Sequence, residues 1–211
     1  MFFNRIIRLL IKHFQNYFVY YFILAFILII GIIIGPLIVN LFDLRTKIAI
    51  LRYSNPYYKI ALFNDIIHDS VVKSSMFSNV FLILLILLVS FLKIGIFIVP
   101  LILLLKGFSL GFSVAFLVDN FGFKGFLLSI GGIYPQNIFF LSGLIGLGAT
   151  LMSTTNFYSR PMVSSRLRYK YQNFDESLLL VGVYSSIILL GTIIEGLLSP
   201  IFLRFTLDFF I

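Results

Sequence analysis

From Tyr17 to Val39 the chain carries no charged side chain, and nearly every residue is apolar. About 20 such residues suffice to cross the hydrocarbon of a bilayer as a helix. The run is longer than the apolar stretch of a signal peptide, and no small-residue cleavage site follows it, so it reads as an uncleaved anchor. Tyr17, Tyr20 and Tyr21 stand at its start. With no Trp in the chain, tyrosine has to supply the interfacial belt.

The rest of the chain is of the same kind. Hydrophobic residues make up 60% and charged residues 11% of its 211 residues. Soluble domains run about 45–50% apolar and about 25% charged. A soluble core of this size could not bury so much apolar side chain. These numbers exclude a soluble enzyme, a nucleic-acid reader and a disordered tail. The net charge of +8 reads as orientation signals and contact with anionic headgroups. The chain has no cysteine, which removes disulfides, thiolate chemistry and Cys-based metal sites.

The expected fold class is all-α: a polytopic transmembrane helical bundle of about five spans, with one or two broken helices. Residues 1–16 form a basic amphipathic helix on the membrane surface, with Arg5, Arg8 and Lys12 set against Ile6, Ile7, Leu9, Leu10 and Phe14. Spans follow at 17–39, 77–92, 95–118, 125–151 and 178–198. The apolar stretch from Phe77 to Val118 must turn once, near Lys93–Gly95 or near Lys106–Gly107. The first placement fits span length better. It also keeps Lys93 at an interface rather than at midplane, where it would cost about 3 kcal/mol.

Residues 40–76 are the main polar loop. After the Ser54-Asn55-Pro56 turn, Ile60, Phe63, Ile67 and Val71 repeat at helical spacing, giving a second amphipathic helix with a partner-facing apolar side. Residues 153–176 form a basic loop, and 199–211 a short tail. Lys and Arg divide almost evenly between the two sides of the membrane. The clusters at the N-terminus and at Arg160–Lys170 are the denser. They place the N-terminus in the cytoplasm and the C-terminus outside.

Few constellations could carry chemistry. Gly107-Phe108-Ser109-Leu110-Gly111 has the form of a serine nucleophile motif, yet the only histidines, His13 and His68, fall outside the expected spans. Gly107 with Gly111, and Gly31 with Gly35, instead give small faces where helices approach closely. Asp65, His68 and Asp69 share a helical face, but a solvated surface outweighs a metal site with no fourth ligand. The expected span 125–151 is interrupted at Gly131, Gly132, Pro135, Gln136 and Asn137. Such a break is tolerated only against protein or a water-filled cavity. Lys93 and Glu195 are the ionisable residues deepest in apolar sequence. They are expected to form an intramembrane pair, or Glu195 to bond backbone freed near Pro135; the equal alternative is that Glu195 sits near the outer interface and Lys93 snorkels. No cofactor and no metal is expected.

One stretch resembles a known family. Lys106-Gly107-Phe108-Ser109-Leu110-Gly111-Phe112, then Gly122-Phe123-Lys124-Gly125, then Tyr134-Pro135-Gln136-Asn137 is similar to the stage II sporulation protein M family. Broader relatives carry a His and a Glu around Gln136–Phe139, and this chain has neither. The resemblance implies a non-enzymatic scaffold in the mother-cell septal and engulfing membrane of endospore-forming bacteria. Its partners would be membrane lipid and the peptidoglycan-degrading sporulation proteins D and P, with no nucleic acid. Self-association is left open. The competing expectation is a transporter or channel subunit, resting on the broken span.

Overall fold

The computed structural model describes residues 2–50, 77–88, 95–158 and 176–195. Among them there are eight helices and no strand. They are α1 (Phe2–Asn16), α2 (Phe18–Leu41), α3 (residues 44–50), α4 (Phe77–Leu88), α5 (Gly95–Phe121), α6 (Phe123–Gly132), α7 (Tyr134–Tyr158) and α8 (Glu176–Glu195). Four of these are long and apolar enough to cross a membrane: Phe18–Leu41, Ile96–Phe121, Tyr134–Thr154 and Glu176–Glu195. The expected span 77–92 is described only over Phe77–Leu88.

α1 ends at Tyr17, whose backbone leaves the helical region at φ −123° and ψ 25°. The bend lets the amphipathic helix lie across the start of α2. α2 is apolar on every side, as a membrane span must be. Pro36 sits inside it and has no N–H for the carbonyl of Ile32. That carbonyl faces Gly111 of α5, where a Cβ would collide with it.

The same seam continues along both helices. A Cβ on Gly31 would strike Leu104 O, one on Gly35 would strike Phe112 N, and one on Gly107 would strike Leu28 O. The two glycine pairs read from sequence therefore belong to one interface, and α2 and α5 run parallel along it. Lipid tails are as apolar as leucine, so close backbone approach and packing have to hold such helices together.

α5 passes Lys106–Gly107 without a break, so the chain does not turn there. Residues 89–94, around the other expected turn, lie outside the described residues. α5 ends at Gly122, whose φ of +59° only glycine adopts readily. α6 then folds back so closely that Gly125 meets the carbonyl of Leu117. The expected span 125–151 is thus two helices joined at Ile133, between the Gly131-Gly132 pair and Pro135. Pro135 stands in the first turn of α7, where a missing N–H is harmless.

α7 is the central helix: 61% of its most apolar stretch is buried, against 22–28% in the other three spans. Gly143 packs on Ile188 and Gly146 on Tyr184, both from α8, while Gly148 meets Val99 of α5 and Leu24 of α2. Leu24, Ile86, Leu103, Leu144, Leu147 and Ile188 are fully buried and form the dry middle of the bundle.

Candidate functional site

Among the described residues, most polar groups inside the bundle gather in two places, with buried Ser129 apart on α6, bonded to Gly125 O. The larger is a cavity of about 290 Å³ lined by Ser78, Asn79, Lys106, Gln136, Asn137, Phe140, Gly191 and Glu195. Its depth follows from the glycine seam. Lys106 precedes Gly107, which packs against Leu28 and Ile32, the middle of the 24-residue α2. The cavity therefore stands near half depth in the membrane.

Four elements build it. α4 contributes Asn79, whose amide donates to Thr192 Oγ1 on α8 at 3.1 Å and also bonds the Glu195 carboxylate. α5 contributes Lys106, with its ammonium 4.9 Å from the ring centroid of Phe140. α7 brings Gln136 and Asn137 on its first turn, immediately after the break. Asn137 Nδ2 reaches back to the carbonyl of Ile133, beside the break, at 2.7 Å. α8 brings Gly191, which lets the helix lie against Gln136 O and Phe140 N.

Lys106 and Glu195 act on each other electrostatically across this space. Among the described residues, the ion pairs within 4.0 Å are Lys12–Glu176 and Lys47–Asp119, both at the ends of the bundle. The two interior charges thus face a shared cavity without direct contact. Lys93 lies outside the described residues, as do Ile60, Phe63, Ile67 and the Asp65–His68–Asp69 trio. Among the described residues, the cation near Glu195 is Lys106. A length argument could have found it. With α5 beginning at Gly95, Lys106 stands 11 rises, about 16 Å, into a span.

The second polar cluster lies at the opposite end, where α1 meets α2, α7 and α8. His13 is buried, with Nδ1 3.0 Å from Tyr21 Oη and Nε2 3.2 Å from Ser153 Oγ. Tyr21 and Tyr184 bring their hydroxyls to 2.8 Å. Proton counting orients this chain. Ser153 donates to the carbonyl of Thr150 at 2.7 Å, so toward His13 it accepts, and Nε2 carries the hydrogen. Nδ1 then accepts from Tyr21, and Tyr21 from Tyr184. Burial lowers the pKa of His13 from 6.5 to about 4, in keeping with this neutral tautomer.

His13 stays on α1, outside the spanning helices as expected from sequence, but its ring turns inward against Tyr21 of α2 and Ser153 of α7. Serine and histidine at this distance resemble a nucleophile and its base, yet the chemistry is wrong. The Ser153 proton is spent on a backbone carbonyl, and both groups are buried. Ser109, the residue in the Gly-x-Ser-x-Gly stretch, is exposed on the outer surface of α5, away from His13. Among the described residues no cluster of three metal-ligating side chains occurs.

Described residues that are helical throughout their elements, with four helices long and apolar enough to cross a membrane, define a polytopic membrane protein. Residues 23–200 match the family described as stage II sporulation protein M, and the chain belongs to that family. It is a sporulation-related membrane protein. No curated protein and no solved structure matches it.

Proposed function

We propose that the chain is a non-enzymatic membrane scaffold that anchors the peptidoglycan-degrading sporulation proteins D and P and localises them at the septum during engulfment. Family membership over residues 23–200 is the observation that carries this reading. A bundle whose helices are joined by backbone-to-backbone glycine contacts suits a rigid anchor. In this reading the N-terminus is cytoplasmic, and residues 40–76 and the tail after Pro200 meet partners outside. The apolar positions Ile60, Phe63 and Ile67 would face those partners.

The test is gentle crosslinking of a tagged copy in sporulating cells, followed by purification and mass spectrometry. Enrichment of two extracytoplasmic wall-cutting proteins is expected. Recovery of an ATPase or a solute-binding subunit in their place would replace the scaffold reading. Charge reversal at Lys59, Asp65 and Asp69 should weaken recruitment without preventing insertion, and normal recruitment by such a variant would exclude the 40–76 loop as the docking surface.

A second reading, a transporter or channel subunit, draws on the polar cavity beside a broken helix. Against it stands the apolar layer of Leu24, Ile86, Leu144 and Ile188, which separates the cavity from the His13 cluster. Solute flux into proteoliposomes of the purified chain would favour it.

A further inference from the structure

The geometry points to the mid-depth cavity as a hydrated binding site for a small zwitterion of the amino-acid class, its carboxylate toward Lys106 and its ammonium toward Glu195. This does not rest on the scaffold reading. Three observations carry it. First, the lining is polar where hydrocarbon depth would favour apolar side chains: Ser78, Asn79, Gln136 and Asn137 join two charges there. Polar groups at this depth require internal partners or water. Second, Lys106 and Glu195 interact without the direct ion pair that would neutralise them and close the space. A ligand of single sign would leave one charge uncompensated, whereas a zwitterion answers both, and the amides supply its remaining hydrogen bonds. Third, the cavity of about 290 Å³ has room for such a molecule with a few waters.

Among the described residues, buried Ile83 and Ile188, with Leu144 and Leu147 behind them, close the site toward α1.

The natural absence of cysteine makes the test direct. Ser78→Cys in the full chain, in nanodiscs, is treated with a water-soluble methanethiosulfonate. Ile33→Cys, exposed to lipid on α2 at similar depth, serves as the control. Rapid labelling at Ser78→Cys and slow labelling at Ile33→Cys are expected. L-Alanine at ten times its Kd should slow the labelling about tenfold, the fraction of sites left empty. Acetate or ethylamine, each carrying half of the recognised charge, should not. Lys106→Met and Glu195→Gln should each abolish the protection and leave labelling intact. Gln136→Cys repeats the measurement should Ser78→Cys fail to fold. A cysteine that never labels at either position overturns the hydrated cavity. Labelling that alanine does not slow leaves water as the occupant and overturns the ligand. Equal protection by acetate or ethylamine overturns recognition by both charges.

Discussion

The bundle holds two polar clusters, and they are built on opposite terms. The one around His13, Tyr21, Tyr184 and Ser153 is neutral and filled by its own side chains. Each hydroxyl and ring nitrogen has a stated partner, and the donors all run in one direction. The one around Lys106 and Glu195 is charged, and its groups surround a cavity instead of filling it. Eight residues of α8, about 12 Å of helix, separate Tyr184 in the first from Thr192 in the second. Buried Ile188 lies between. A neutral, internally satisfied network ties helices together. Charges that surround a cavity instead leave room for a polar occupant.

The largest expected effect strikes the charged cluster. Glu195→Ala leaves Lys106 with only an aromatic ring and amides near it. An uncompensated Lys at mid-depth in a membrane costs about 3 kcal/mol. Removing both charges, with Lys106→Met and Glu195→Gln, should recover most of that loss. Circular dichroism through a detergent titration reads both, since the chain has no Trp to follow. A double variant as unstable as the single one would show that the two charges do not compensate each other.

Next comes the neutral cluster, through pH. Above pH 6.5 His13 is neutral in both folded and unfolded chains, and pH does not act on stability through it. Between pH 6.5 and about 4 the unfolded chain binds a proton that the buried ring refuses, so stability falls with pH. The full shift corresponds to about 3 kcal/mol, lost by pH 4 and no further below it. His13→Phe should flatten this window in a thermal-unfolding series. The charged cluster contributes no such histidine slope, so a slope surviving in His13→Phe would assign the pH response elsewhere.

How far the sequence discloses these clusters depends on what each residue's neighbours are. Span content is plain, because an uncharged run such as Tyr17–Val39 has few other folds. Close-packing glycines are plain as well, from the spacing of Gly31 with Gly35 and of Gly107 with Gly111. Their mutual contact is not, since lipid-facing Phe22 and core-facing Leu24 are equally apolar and carry no sign of direction. The break at Gly131–Pro135 was legible, but not that its Gln136 and Asn137 would face Lys106. His13 was read as part of a polar surface because the bend at Tyr17, with no glycine or proline to mark it, turns that face inward. Glu195 was legible as an acid in apolar sequence. That Lys106 faces it was not, because the depth of Lys106 depends on where α5 begins.

A smaller effect separates the two clusters by their tolerance of lost hydrogen bonds. Tyr184→Phe removes the hydroxyl that donates to Tyr21, among side chains that are themselves buried. One such bond contributes about 1 kcal/mol. Asn137→Ala removes the bond to Ile133 O, but Asn137 lines the cavity, where water can reach that carbonyl. The loss there should be smaller, about 0.5 kcal/mol, at the low end for a hydrogen bond. The order of the two, measured under one set of conditions, is the point of the comparison. If Asn137→Ala costs more than Tyr184→Phe, the cavity is dry and the second lone pair of Ile133 O finds no water. The distinction between a filled network and a hydrated one would then fail at the residue where it is easiest to observe.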